Sequence, residues 1–138
     1  MDKNIRILIL EDRATDADLM EFELMEAGLA FTAKRAMNEK EFLRELGEFS
    51  PDVVISDYDL PQYTGSLALV ASRESCPEVP FILVTGALDE SEGVCEEILA
   101  QGASECVFKR NLDRLAPTVW KVMRAKTCNG TTTDKNGH

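Results

Sequence analysis

Val53–Gly65 reads VVISDYDLPQYTG. Its opening run, Val53–Ser56, is apolar on successive positions rather than alternate ones and rich in β-branched residues. That pattern suits a strand covered on both faces, as strands of parallel sheets are. The run ends on Asp57, with Asp59 two residues further on.

Outward from this segment the pattern recurs. Ile5–Leu10 (IRILIL), Phe31–Ala36, Phe81–Thr85 (FILVT) and Glu105–Phe108 read as further strands, Phe31–Ala36 being the weakest. Helical spacing fills the gaps. Ala17, Met20, Leu24 and Ala27 share one stripe, with Thr15 and Asp18 as the start signal and Gly28 as the stop. Asn38–Phe49 is a second helix, stopped by Ser50-Pro51; a third covers about 66–75, and a fourth about 89–101, ending at Gly102. The last reaches about Lys126. Pro117 is tolerated only in its first turn, so that helix should begin near Asp113–Leu115, with Asn111–Asp113 as turn and cap.

Five strand–helix units in strict alternation predict an α/β, doubly wound parallel sheet with right-handed crossovers and helices on both faces. Such sheets place ligands beyond the carboxyl ends of their strands, where strand order reverses. One domain is expected over 1–126. The polar stretch 127–138 (TCNGTTTDKNGH) reads as a tail or a truncated linker.

Composition narrows the function. At 138 residues and 44% hydrophobic, the chain can bury a core without disulfides. A net charge of −10 with no compensating basic cluster disfavours nucleic acid as a partner. No run approaches the ~20 apolar residues that span a bilayer, and no signal-peptide pattern opens the chain. Cys76, Cys95, Cys106 and Cys128 show no CxxC spacing, so reduced, packed thiols of a cytoplasmic protein are expected. The single histidine is His138, which excludes Ser-His and Cys-His catalysis and most metallohydrolase arrangements.

The residues just beyond the strands carry the chemistry. Glu11 and Asp12 follow the first strand, Asp57 ends the third with Asp59 nearby, Thr85 ends the fourth, and Lys109 follows the fifth. Singly each has a plain reading: an acid at a strand end often caps the next helix, and a lone threonine or lysine is commonly structural. The set is more telling. Converging carboxylates repel one another unless a cation sits among them, and oxygen-only ligands suit Mg²⁺. The metal, the Lys109 ammonium and the Thr85 hydroxyl could then bind the oxygens of an incoming phosphoryl group, a reaction that asks mainly for positioning and charge neutralisation.

These residues resemble the CheY-like receiver domain of bacterial two-component response regulators, a fold of the flavodoxin-like class. The likeness covers about Asn4 to Lys126. ILILED carries the acidic pair, VVISDYDLPQYTG the acceptor strand with Pro61 and Gly65, PFILVTG the threonine, and QGASECVFKR the lysine. The resemblance implies a (βα)5 sandwich with strand order 2-1-3-4-5 and phosphorylation of Asp57, assisted by Thr85 and Lys109. It implies Mg²⁺ held by Asp12, Asp57 and the Asp59 backbone carbonyl, with Glu11 acting through water or a hydrogen bond. It implies a phosphohistidine donor on a sensor histidine kinase or phosphotransfer protein, regulation of a partner by conformational change, and no turnover beyond phosphotransfer and autodephosphorylation. Asp59 and Ala87 stand where the family tunes dephosphorylation. The sequence departs from the family at Cys106, where Tyr or Phe is usual, and at Arg110, where proline is usual.

Two surfaces are candidates for contact. Leu19, Phe22 and Met25 form a second stripe on the first helix, the region that docks the kinase in related proteins. Helix four, strand five and helix five form the family's output and dimer surface, and Trp120 lies off the apolar stripe of the last helix. A haloacid-dehalogenase-type phosphatase also opens with DxD, but after its first strand and with Thr or Val at the position of Pro61. A flavodoxin-like carrier would need a phosphate-cradling loop where Glu11 and Asp12 stand. The remaining alternative is a receiver module excised from a hybrid sensor kinase or multidomain regulator, to which KRNLDRL bears some likeness.

Overall fold

A computed structural model describes residues 4–86 and 91–135. Its main sheet has strands β1 (Ile5–Leu10), β2 (Phe31–Ala36), β3 (Val53–Asp57), β4 (Phe81–Thr85) and β5 (Glu105–Phe108). All four neighbouring pairs are parallel, and the order is β2-β1-β3-β4-β5, as expected. The helices are α1 (Ala14–Glu26), α2 (Glu39–Glu48), α3 (Gly65–Ser75), α4 (Ser91–Ala100) and α5 (Leu115–Lys135).

Successive strand side chains point to opposite faces, so the continuous apolar runs feed two cores. Ile7, Ile9, Ile55, Ile82 and Val84 pack with Met20 and Leu24 of α1 and with Leu115 and Val119 of α5. Leu8, Leu10, Val54 and Leu83 pack on the other face with Phe42 and Leu46 of α2, Leu69 of α3 and Ile98 of α4. Each such side chain contributes about 1.5–3 kcal/mol on burial. Both faces of β1 and β3 are spent in this way, leaving their carboxyl ends as the place where polar groups can stand.

Helix ends follow local chemistry. The Asn38 side chain accepts the Glu41 N–H at 2.9 Å while Glu41 Oε1 accepts the Met37 N–H at 2.8 Å, a reciprocal cap that starts α2. Thr64 caps α3 through the Leu67 N–H. Gly28 (φ 84°) and Gly102 (φ 119°) take the left-handed conformation where α1 and α4 end. Helix α1 starts earlier than Thr15 and Asp18 suggest: Arg13 is its N-cap, with no side-chain cap, and Glu11 Oε2 accepts the Arg13 N–H at 3.1 Å. The last helix is preceded by a 3-10 turn, Lys109–Arg114, and extends to Lys135, beyond the expected stop near Lys126. Pro117 falls in its first turn, as required. No cis peptide occurs among the described residues, so Lys109–Arg110 is trans.

The cysteines depart from expectation. Cys95 of α4 and Cys106 of β5 form a disulfide, with Cα atoms 5.8 Å apart. Spacing rules miss the pair because its members meet only when α4 turns back beside the strand that follows it. Cys76 is half-buried, its Sγ donating to the Leu46 carbonyl.

Gly65 marks a close approach. A Cβ there would stand 2.6 Å from Leu83 Cδ1 and 3.1 Å from Tyr58 Cα. Leu83 is fully buried and the Tyr58 contact is backbone, so neither yields readily. Gly65→Ala should cost about 1–3 kcal/mol; urea unfolding with an unchanged midpoint would disprove this account of the glycine.

Candidate functional site

The carboxyl ends of β1, β3, β4 and β5 converge on one patch. Register sets this convergence: Leu10 lies opposite Ser56, Asp57 opposite Val84, and Thr85 opposite Phe108. Glu11, Asp57 and Lys109 therefore emerge at neighbouring points although they are far apart in sequence. Glu11 is 2% exposed, Asp57 4% and Thr85 2%. The loop beyond Asp57 is fixed by two backbone bonds, Tyr58 N–H to Val84 O at 3.0 Å and Gly65 N–H to Tyr58 O at 2.8 Å.

Lys109 organises the patch. Its Nζ lies 3.0 Å from Glu11 Oε1, 2.8 Å from Asp16 Oδ2 and 3.6 Å from Asp57 Oδ2. Burial works to lower the Lys109 pKa, but the Asp16 and Glu11 contacts and the Asp57 charge outweigh it, and the pKa is raised above the ordinary lysine value. The ammonium therefore stays charged through the neutral range.

Asp16 escaped the sequence reading. The early start of α1 places it in the first turn, at the same edge of the sheet as Glu11. The signal is an acid six residues beyond the end of the first strand, masked by the start that Thr15 and Asp18 suggest. The other expected site residues are found as follows. Glu11, Asp12 and Asp57 offer carboxylate oxygens all within 4.8 Å of one another. Thr85 ends β4 beside them. Asp59 lies in a short hairpin with Leu60, Tyr63 and Thr64, its side chain outside the described atoms. Ala87 lies outside the described residues.

This donor set suits a hard divalent cation. It is made of oxygens: Glu11, Asp16 and Asp57 surround the Lys109 ammonium and Asp12 joins Glu11 and Asp57, leaving negative charge in excess. Glu11 Oε1 is buried and has no aligned hydrogen bond, its contact with Lys109 being an ion pair only. A buried carboxylate oxygen with spare acceptor capacity is a ready partner for a cation or for its water shell. Addition of Mg²⁺ should raise the thermal midpoint, by about 2.7 kcal/mol of stability at a hundredfold excess over Kd. A chelator should reverse the shift, and Asp12→Asn should remove most of it. An unshifted wild-type midpoint in calorimetry would count against a cation site.

Comparison with known proteins places this geometry. A family model described as the response regulator receiver domain matches residues 7–119. The chain is 27% identical over 131 residues to a protein-glutamate methylesterase/protein-glutamine glutaminase of Treponema denticola, covering 89% of the chain and 35% of that protein. It is 30% identical over 120 residues to an uncharacterized response regulatory protein of Vibrio cholerae, covering 86% of the chain and 48% of that protein. The chain thus spans less than half the length of either relative. Its fold matches the crystal structure of a response regulator receiver domain protein from Clostridium thermocellum, with a TM-score of 0.76 at 24% identity, covering 90% of this chain and 98% of that one.

Proposed function

We propose, since the chain belongs to the response regulator receiver domain family, that it is a phosphoacceptor whose Asp57 carboxylate takes a phosphoryl group from a phosphohistidine. The observation that carries this reading is the Lys109 ammonium, 3.6 Å from Asp57 Oδ2 at a strand end that also holds Glu11 and Asp12. Asp57 Oδ forms the new P–O bond as the P–N bond of the donor breaks, and the bonding pair leaves with the donor imidazole. Lys109 balances charge on the phosphoryl oxygens, and the Thr85 hydroxyl donates to one of them. Asp12, Asp57 and the Asp59 carbonyl would hold Mg²⁺, with Glu11 through water. Bound there, the metal would neutralise phosphoryl charge. Gain and loss of this group is the whole of the proposed chemistry; the chain acts as a phosphorelay receiver rather than a turnover enzyme.

The partner is a sensor histidine kinase or a histidine phosphotransfer protein in the cytoplasm. Support comes from α1, where Leu19 and Phe22 are 52% exposed and Met25 64%. That stripe lies on the helix whose first turn carries Asp16, next to the acceptor. No helix among the described residues is long and apolar enough to cross a membrane. The surface of α4, β5 and α5 is the corresponding candidate for output contact or self-association. The greater length of the relatives favours a second context for the same chemistry, a receiver module within a larger regulator or hybrid kinase.

With Mg²⁺ and a small phosphodonor, mass spectrometry should show one added phosphoryl group, lost on chelation and absent in Asp57→Ala. Incorporation that survives in that variant would refute the assignment. Phe22→Ala should slow transfer from a cognate kinase about tenfold, equivalent to ~1.4 kcal/mol, and leave small-donor phosphorylation unchanged. Equal slowing with both donors would remove α1 as the docking helix.

A further inference from the structure

The Cys95–Cys106 disulfide joins the two segments that lead out of the phosphoryl site. One leaves Thr85 and enters α4, and the other returns through β5 to Lys109, three residues beyond Cys106. Among the described side chains of α4, Ile98 alone is fully buried, with Val94 half-buried against the same core. Few described side chains of α4 anchor it to the sheet, and the sulfur bridge adds a covalent attachment to that packing. Both cysteines are half-buried rather than sealed in the core, so an attacking thiolate can reach the sulfurs.

We propose that Cys95 and Cys106 form a reversible redox modification site, whose closed form clamps α4 onto β5 and damps the response of the domain to phosphorylation. Closure by a low-molecular-weight disulfide takes two exchanges. One cysteine thiolate attacks the small disulfide and releases one thiol. The second cysteine thiolate then attacks the mixed disulfide, forms the Cys95–Cys106 bond and releases the other thiol. A dithiol reverses both steps and leaves as its own cyclic disulfide. Two electrons and two protons pass in each direction. A reducing compartment holds the pair open and an oxidising one closes it. The damping rests on the phosphoacceptor reading; the clamp does not.

The test uses the full chain, equilibrated with glutathione disulfide or with dithiothreitol. Alkylation under denaturing conditions followed by mass spectrometry should label all four cysteines after reduction and neither Cys95 nor Cys106 after oxidation, their peptides then being joined to each other and not to glutathione. Amide hydrogen exchange over 93–100 should be at least threefold slower in the oxidised form. Beryllofluoride with Mg²⁺ should bind at least threefold more weakly to the oxidised form, and Cys95→Ser should abolish both redox effects. Failure of the pair to close, or α4 exchange that is equal in the two forms, overturns the clamp. Equal or tighter beryllofluoride binding by the oxidised form overturns the damping. Redox-dependent α4 exchange with no beryllofluoride binding in either form upholds the clamp and rejects the phosphoacceptor reading instead.

Discussion

Lys109 Nζ lies within 3.6 Å of oxygens from Glu11, Asp16 and Asp57, and the arrangement of the whole sheet edge follows from that meeting. Buried carboxylates drawn together without a counter-charge would raise their own pKa values and go neutral. One ammonium, itself held charged by its partners, offsets their mutual repulsion, and it can do so only if β5 ends beside β4 and β4 beside β3. The doubly wound topology meets that condition. Its price in stability is an accumulation of like charge that a packed apolar edge would avoid.

The sheet was legible because burial on both faces writes itself into sequence as continuous apolar runs. IRILIL, VVIS and FILVT could scarcely be anything else, and the residues at or just beyond their ends are the ones the fold brings together. Where the two cores divide, the odd and even positions of β1 separate cleanly into Ile7 and Ile9 on one side and Leu8 and Leu10 on the other. Gly28 and Gly102 were equally readable, since each stands where a positive φ lets a helix end.

What escaped the sequence depends on tertiary placement. Asp16 counts only once α1 is known to begin at Ala14, and that start is set by a carboxylate outside the helix, Glu11. The extension of α5 to Lys135 runs through Asn, Gly and Thr, residues of weak helix propensity that read as coil. The disulfide is the clearest case. Each cysteine read alone is a small apolar residue, and only the packing of α4 along β5 brings the two Cα atoms to 5.8 Å.

The end of β5 gathers both departures from the family pattern, Cys106 and Arg110, into one short stretch, ECVFKR. While the disulfide is closed, Cys106 ties β5 covalently to α4, so strand and helix move together. Phe108, half-buried, is covered by the Arg110 guanidinium 4.8 Å above its ring, a contact that holds the backbone on both sides of Lys109. Lys109 lies beside that contact and three residues after the disulfide, and its Nζ is held by Glu11 and Asp16. A lysine so restrained spends little conformational entropy in meeting an anion. The same disulfide makes the position of α4 depend, through one covalent bond, on the strand that leads to Lys109.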